Sequence, residues 1–211
     1  TAGRTTLNGE GLQHQDGHSL LMANMIPNCI SYDPTFQYEV AVVVQDGMRR
    51  MFAEQEDVYY YITVMNENYE HPEMPAGAEA DILKGLYLFR KGGEAAAPRV
   101  QLMGSGTIFR EVIAAADLLK ADWGVDADIW GAPSFNELAR DGQDVERWNL
   151  LHPEAKTARK AWVTQQLEGR QSPAIAATDY SRIFASQIRD YMRIRYSGLC
   201  TDGSDRNDTS T

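Results

Sequence analysis

Residues 99–191 alternate between segments patterned like strands and segments patterned like helices, and this alternation constrains the fold most strongly. The spacing predicts strands over residues 100–103, 127–130 and 174–177, and helices over residues 108–120, 136–150 and 180–191. The helix over residues 136–150 carries an expected interruption near Gly142. Helices that separate consecutive strands favour a mostly parallel sheet with right-handed crossovers. We therefore expect an α/β fold.

The helix predicted over residues 108–120 has one apolar face. Its core-facing side chains recur every three or four residues, at Phe109, Val112, Ile113, Ala116 and Leu119. Such a face packs against a sheet, which agrees with the strands predicted on either side.

The segment before residue 70 gives mixed signals. Residues 20–25 read as a short helix with Ser19 as its cap, and residues 29–32 read as a strand. Asp33-Pro34, a capping carboxylate followed by a proline at the first helical position, predicts the start of a second helix. The valine run at residues 40–44 favours a strand by propensity, whereas the wider apolar spacing favours a helix, which we adopt. Residues 58–65 form the clearest strand, and residues 70–77, with two prolines and a glycine, read as a domain linker.

Composition narrows the possible partners. The 211 residues carry a formal charge of −10, which argues against a general nucleic-acid or anionic-membrane surface. No apolar run approaches the length that crosses a bilayer. Cys29 and Cys200, far apart in sequence, read as unpaired thiols of a reducing cytosol. A start without Met, close to a polar stretch, reads as a piece of something longer.

That polar stretch, residues 9–19, is the first candidate site. It holds Glu10 and His14 among glycines, amides and a second histidine, with almost nothing apolar to bury. Imidazole can accept and return a proton near neutral pH, and Glu10 lies four residues away, where it can orient His14. The alternative is a solvated loop whose histidines have no function.

Two weaker interpretations concern metal and phosphate. His14, Asp16 and His18 would share one side of an extended chain and could ligate zinc, but no further ligand cluster stands out. Gly104-Ser-Gly106 lies between a predicted strand and helix, where phosphates often bind. It lacks the rest of a dinucleotide fingerprint, so a structural turn is the better interpretation.

Several stretches together carry a family resemblance. Residues 7–19 read LNGEGLQHQDGHS, and later stretches read MIPNC at 25–29, SYDPTFQYE at 31–39, YYYIT at 59–63, NENY at 66–69, SF at 134–135 and ELARDGQD at 137–144. These segments resemble the homodimeric bacterial pyruvate dehydrogenase, the decarboxylating component of the pyruvate dehydrogenase complex. The resemblance covers nearly the whole chain.

The resemblance implies a transketolase-like architecture of three α/β domains. Residues 1–74 would form the carboxyl-terminal part of the middle, pyrimidine-binding domain, and residues 75–211 most of the carboxyl-terminal domain. The valine run would then be helical. Residues 199–208 are shorter than, and altered from, the family's closing pattern. We therefore expect an incomplete or divergent carboxyl-terminal domain, with a disordered tail from about residue 201.

The implied activity is decarboxylation of pyruvate with thiamine diphosphate and Mg²⁺, followed by transfer of the acetyl group to the lipoyl arm of an acyltransferase component. Glu10 and His14 match positions that line the family's active site, with the histidine in proton and acetyl transfer. The family's diphosphate motif and cofactor-activating glutamate belong to upstream sequence. We therefore expect a cytoplasmic, glycolysis-linked enzyme, homodimeric when complete, of which this chain alone is inactive.

Two rivals remain. A related 2-oxo acid dehydrogenase or transketolase with another substrate would share the same motifs. A transketolase-like domain kept for dimerisation or docking, without catalysis, would share the fold alone.

Overall fold

The computed structural model describes residues 16–65, 67–93 and 97–201. A first unit, residues 16–65, contains five elements. They are helix α1 Ser19–Asn24, strand β1 Cys29–Tyr32, helix α2 Gln37–Met48, a π-helical turn Arg49–Ala53 that continues α2, and strand β2 Tyr59–Ile62. The valine run is helical, as the apolar spacing predicts. A short helix, α3 Glu79–Leu83, follows the proline-containing segment.

A second unit, residues 85–201, contains the larger sheet. Its elements are β3 Tyr87–Arg90, β4 Arg99–Gly104, α4 Ile108–Trp123, β5 Asp126–Gly131, α5 Phe135–Leu151, α6 Trp162–Gln166, β6 Ala174–Ser181, α7 Arg182–Ser186, a 3₁₀ turn Arg189–Tyr191 and β7 Tyr196–Thr201. The sequence reading had not placed β3, α6 or β7. The expected disordered tail after residue 201 lies outside the described residues.

The strands form two sheets. β1 and β2 pair in parallel, and the second sheet has the order β3-β5-β4-β6-β7. All of its pairings are parallel except that of β3 with β5. The expected mostly parallel α/β architecture is therefore confirmed.

Successive residues of the central strands face opposite sides of the second sheet. Leu102 and Ile129 pack with α4 on one face, whereas the next residues, Met103 and Trp130, pack on the other. This alternation buries both faces of the central strands, which is typical of a sheet covered by helices on both sides. Of the five residues expected on the buried face of α4, Phe109, Val112 and Ala116 are buried and Ile113 and Leu119 are half-buried.

A third apolar cluster joins the two units. Ile30, Tyr32 and Val43 of the first unit pack with Ile82 of α3 and Tyr87 of β3. The segment expected to be a linker therefore leads directly into elements that pack back onto the first unit.

Helix α5 is continuous where the sequence predicted an interruption. Gly142 packs under the ring of Tyr191, and a Cβ at this glycine would lie 2.2 Å from Tyr191 Cε2. Close approach of an aromatic ring, and not a helix break, therefore requires glycine here.

The helix predicted over residues 180–191 is wrong for most of its length. β6 continues to Ser181, because Ser181 pairs with Thr201 of β7 and Tyr180 is buried in the core. Only Arg182–Ser186 is α-helical, followed by the 3₁₀ turn. Pairing with a strand more than a dozen residues away overrides the local helical pattern.

Candidate functional site at the strand ends

The carboxyl ends of four strands meet where the two units join. Each of three polar residues directly follows a strand: Asp33 follows β1, Thr63 follows β2 and Ser105 follows β4. Tyr180 is the second-last residue of β6. In the second sheet, β5 lies on one side of β4 and β6 on the other. The connections after β4 and after β5 therefore lead to opposite sides of β4, which makes its carboxyl end a topological switch point. In open α/β sheets, ligands bind at the carboxyl ends of strands beside such a point. We call Asp33, Thr63, Ser105, Asp179 and Tyr180 the strand-end cluster.

Asp33 is the centre of this cluster. Its Oδ1 accepts a hydrogen bond from Thr63 Oγ1 at 2.7 Å, and its Oδ2 accepts one from Ser105 Oγ at 2.7 Å. Its backbone N–H donates to Pro133 O at 2.7 Å, and its backbone O accepts from Gly106 N at 3.0 Å. One residue of the first unit therefore uses both its side chain and its backbone to hold the second unit.

Burial sets the protonation of Asp33. The side chain is 5% exposed. Burial, reinforced by the nearby Asp179 carboxylate, raises the pKa of Asp33 to about 7, although the hydroxyls of Thr63 and Ser105 oppose the shift. The Asp33 carboxyl group therefore titrates near neutral pH.

Two buried hydroxyl oxygens lie at the end of β6, and one of them, that of Tyr180, belongs to the strand-end cluster. Within the described part of the chain, Tyr180 Oη and Ser181 Oγ make no hydrogen bond. Burial, with the carboxylates of Asp33, Asp179 and Asp16, raises the pKa of Tyr180. Thr63 lies close enough to oppose that shift, without hydrogen-bond geometry to the Tyr180 hydroxyl. Tyr180 therefore stays protonated and can act as a hydrogen-bond donor.

Glu39 is a second buried carboxylate at the junction. Its Oε2 accepts from Phe36 N at 2.8 Å and from Thr35 N, and its Oε1 accepts from Tyr87 Oη at 2.8 Å. Burial raises the pKa of Glu39 to about 7, against these hydrogen bonds. The prediction that Asp33 caps α2 is therefore wrong. The Glu39 side chain accepts the hydrogen bonds of the backbone N–H groups before the helix, whereas the Asp33 side chain binds Thr63 and Ser105.

The described end of the polar stretch docks beside β6. The Asp16 carboxylate accepts from the N–H of His18 and Ser19 at 3.0 and 2.9 Å and from Ser19 Oγ. The N-cap position of α1 is His18, so the prediction that Ser19 caps the helix is wrong, and the Asp16 side chain satisfies the first N–H groups instead. Gly17 O accepts from Ser181 N at 3.0 Å. Glu10 and His14, the predicted catalytic residues, lie outside the described residues.

The two weaker interpretations have different outcomes. Asp16 is engaged in capping, and across residues 16–65, 67–93 and 97–201 no group of three potential metal ligands occurs; His14 lies outside them. In the Gly104-Ser-Gly106 turn, the Ser105 hydroxyl and the Gly106 N–H both bind Asp33. Gly106 has φ +52°, and a Cβ there would lie 2.6 Å from Asp33 Oδ2. The turn is therefore a structural one, as expected, and it connects the second unit to Asp33 of the first.

Sequence reasoning missed most of this cluster. Asp33 looked like a helix cap, and Ser105 looked like an ordinary turn residue. The available signal was positional: each polar residue directly follows an apolar strand, and parallel strands place such residues at one edge.

Comparison with known proteins identifies the family of the chain. The family described as "Pyruvate dehydrogenase E1 component middle domain" matches residues 1–72, and the "Transketolase-like TK C-terminal domain" family matches residues 85–203. The chain belongs to the family of bacterial pyruvate dehydrogenase E1 components. It combines two of that family's domain types in one segment.

Individual relatives agree. The chain is 70% identical to the pyruvate dehydrogenase E1 component of Cupriavidus necator over 99% of its own length and 23% of that protein. It is 54% identical to the Escherichia coli K12 E1 component, again over 99% of this chain and 23% of the relative. The chain therefore spans about a quarter of the length of these E1 components.

Solved structures agree on the fold. A transketolase from Pichia stipitis matches with a TM-score of 0.63 at 15% identity, over 98% of this chain and 26% of that one. A transketolase from Leishmania mexicana matches with a TM-score of 0.61 at 13% identity, over 98% and 26%. The transketolase-like fold expected from the resemblance is confirmed. In the described residues, no helix is both long and apolar enough to cross a membrane.

Proposed function

We propose that this chain is part of a thiamine-diphosphate-dependent pyruvate dehydrogenase that decarboxylates pyruvate and transfers the acetyl group to the lipoyl arm of an acyltransferase component. The observation that carries this proposal is the 70% identity to an E1 component over 99% of the chain. The match runs through the stretch that contains Glu10 and His14. The complete enzyme would be a cytoplasmic homodimer within a multienzyme complex.

The described residues do not fit a magnesium-bound diphosphate. The strand-end cluster gathers carboxylates and hydroxyls, and carboxylates repel a diphosphate. Among the described residues, no three potential metal ligands stand together. Thiamine diphosphate and Mg²⁺ would therefore be held by residues other than those the structure describes.

From this misfit we expect the isolated chain to be inactive. Purified chain, supplied with pyruvate, thiamine diphosphate and Mg²⁺, should release no carbon dioxide above a protein-free control. Turnover by the chain alone would overturn this expectation without affecting its family membership.

His14 is the proposed proton-transfer and substrate-positioning residue, with Glu10 as its neighbour in the site. In the complete enzyme, His14→Ala should slow acetyl transfer to lipoyl by about 10²-fold or more, the usual contribution of a general acid–base group, with a smaller effect on cofactor affinity. His18→Ala is the matched control, because His18 is exposed in the same stretch. Normal turnover of the His14 variant would refute the assigned role.

The domain boundary between residues 74 and 75 remains a proposal. Its support is that β1 and β2 form one sheet, whereas β3 to β7 form another. Limited proteolysis should cut within residues 70–77 before it cuts in either sheet. First cleavage inside α4 or α5 would contradict this boundary.

A second candidate, a dimerisation or docking role, is favoured by one surface. Val44, Met48 and Phe52 follow one another at four-residue spacing on α2 and its π-helical continuation, and they are 43%, 60% and 71% exposed. An apolar row of this kind is typical of a covered surface. If this row lies in the homodimer contact of the complete enzyme, Phe52→Glu in that enzyme should lower its dimer fraction in sedimentation experiments. An unchanged dimer fraction would argue against this role of the row.

A further inference from the structure

We propose that His71 is a pH-responsive latch, which holds residues 67–75 against the first turn of α2 while its imidazole is neutral and releases them when the imidazole is protonated. We call residues 67–75 the strap. The strap follows the first unit and leads to α3. The inference does not depend on the proposed function, because the contacts that carry it lie among the described residues.

The latch is one hydrogen bond. His71 Nδ1 accepts from the backbone N–H of Gln37 at 3.2 Å. Gln37 is the first residue of α2, so its N–H has no acceptor within the helix. An Nδ1 that accepts a hydrogen bond carries no proton, so the imidazole is neutral, with its proton on Nε2. An imidazolium has a proton on both nitrogens and cannot accept this hydrogen bond.

Two further contacts attach the strap at the junction of the two units. The Tyr69 hydroxyl donates to Thr35 O, and the Tyr69 ring centroid lies 4.6 Å from that of His71. Arg110 of α4 has its Cζ 4.3 Å from the centroid of the Tyr69 ring, and its Nη1 forms an ion pair with Glu67 Oε2 at 3.0 Å. Of the three attachments, the one made by His71 is the one that protonation near neutral pH removes.

Positive charge opposes the latched position once His71 is protonated. The amino terminus of α2 carries a partial positive charge, which repels an imidazolium that lies against it. Arg110 is already a cation against the Tyr69 ring, which His71 also contacts. A protonated His71 in the latched position would therefore face repulsion from both the helix and Arg110.

Carboxylates surround the same place. They belong to the strap, to the segment before α2 and to α2 itself, and are Glu67, Glu70, Glu73, Asp33 and Glu39. Burial raises the pKa of both Asp33 and Glu39 to about 7, so below pH 7 these two groups are mostly neutral and attract an imidazolium weakly. The three strap carboxylates are exposed and move with the strap, so they can accompany the released imidazolium.

Movement of the strap changes access to the strand-end cluster. A cavity of about 420 Å³ is lined by Tyr69 and His71 of the strap together with Thr63 of that cluster. A second cavity, of about 580 Å³, is lined by Glu73 and other strap residues. Phe36 lines both cavities. Release of His71 therefore alters the wall of the cavity that reaches Thr63.

Two substitutions separate the titration of His71 from the shape of its ring. His71→Asn offers an amide oxygen that can accept the same hydrogen bond, and it does not titrate. His71→Phe keeps an aromatic ring against Tyr69 but cannot accept. His18→Asn is the matched control, because His18 is an exposed histidine elsewhere in the first unit.

The first experiment measures solvent exchange of the Gln37 amide by NMR in the 211-residue chain, at about pH 8 and about pH 5.5, corrected for the intrinsic rate at each pH. In the parent protein and in His18→Asn, protection should fall by about threefold to tenfold at the lower pH, as expected for one hydrogen bond. His71→Asn should stay protected at both pH values, and His71→Phe should be unprotected at both. Unchanged protection in the parent, or its loss in His71→Asn, would overturn the proposal.

A further variant separates His71 from Glu39, which titrates over the same pH range. Glu39→Gln keeps an oxygen that can accept from Phe36 N and Thr35 N, and it does not titrate. The pH response of the Gln37 amide should persist in this variant. Its disappearance would assign the response to Glu39 and overturn the latch.

Proteolysis measures release of the strap itself. Endoproteinase Glu-C cleaves after glutamate, and Glu70 and Glu73 lie in the strap. At the lower pH, cleavage at these two residues should be about threefold to tenfold faster in the parent than in His71→Asn, and the two rates should agree at the higher pH. Equal rates at both pH values would contradict a latch made by His71.

Discussion

Replacement of Asp33 by asparagine should stabilise the protein at alkaline pH and leave it nearly unchanged in acid. The carboxyl group is buried, and its pKa is raised from 3.8 to about 7, by burial first and then by Asp179. Asparagine has almost the same shape and no charge. Its oxygen can still accept from Thr63 Oγ1, and its amide can donate to Ser105 Oγ, so both hydrogen bonds of the side chain survive.

The magnitude follows from linkage between protonation and folding. Because the folded-state pKa lies above the unfolded one, the unfolded chain loses its proton first as pH rises, and the folded protein loses stability between about pH 4 and pH 7. A difference of about three pH units corresponds to about 4 kcal/mol, reached in full above pH 7. At pH 8 the variant should therefore unfold roughly 8–16 °C above the parent protein. The two melting temperatures should converge towards pH 4.

The assay is thermal unfolding followed by circular dichroism from pH 4 to pH 9. Glu39, whose pKa is also raised to about 7, lowers stability over the same range in both proteins, so most of its contribution cancels in their difference; its repulsion of the Asp33 carboxylate is a smaller part of the effect measured. The Asp33 carboxylate contributes to the raised pKa of Tyr69 and Tyr180, but both phenols stay largely protonated up to pH 9 in either protein, so they add little to the difference. Asp57→Asn at an exposed site is the matched control, and its curve should run parallel to that of the parent. A parallel curve for Asp33→Asn would refute the reasoning that this carboxylate is buried at a cost.

Three further predictions concern one close contact and two buried hydroxyl groups. Gly142→Ala should destabilise the protein by about 1–3 kcal/mol in urea unfolding, since the new methyl group would overlap the Tyr191 ring; an unchanged midpoint would contradict that contact. Tyr196→Phe should cost about 1 kcal/mol, because it deletes a hydrogen bond from Tyr196 Oη to Ala185 O at 2.7 Å. Tyr180→Phe, which deletes a buried hydroxyl without a hydrogen bond to the described residues, should be neutral or stabilising in the same assay, and a larger loss than for Tyr196→Phe would show that its hydroxyl is engaged.

Local sequence was sufficient for much of the fold. The alternation of strands and helices after residue 99, the apolar face of α4 and the helical spacing of the valine run each depend on residues within one or two turns of one another. Such patterns record which face of an element is buried, so they can be read without knowing what buries it. The stretches of family resemblance also lie in the sequence itself, and Glu10 and His14 were singled out from the polar stretch and this resemblance.

Tertiary structure decided what depends on distant partners. Asp33 and Ser105 are 72 residues apart, and their hydrogen bond exists only because β1 and β4 end at the same place. Nothing near Asp33 in sequence distinguishes a helix cap from a buried carboxylate with a raised pKa. Likewise, β6 extends to Ser181 because β7 pairs with it. Gly142 is required because the ring of Tyr191, 49 residues later in the sequence, packs against it. Burial and long-range pairing set these features, and neither is encoded within a local window.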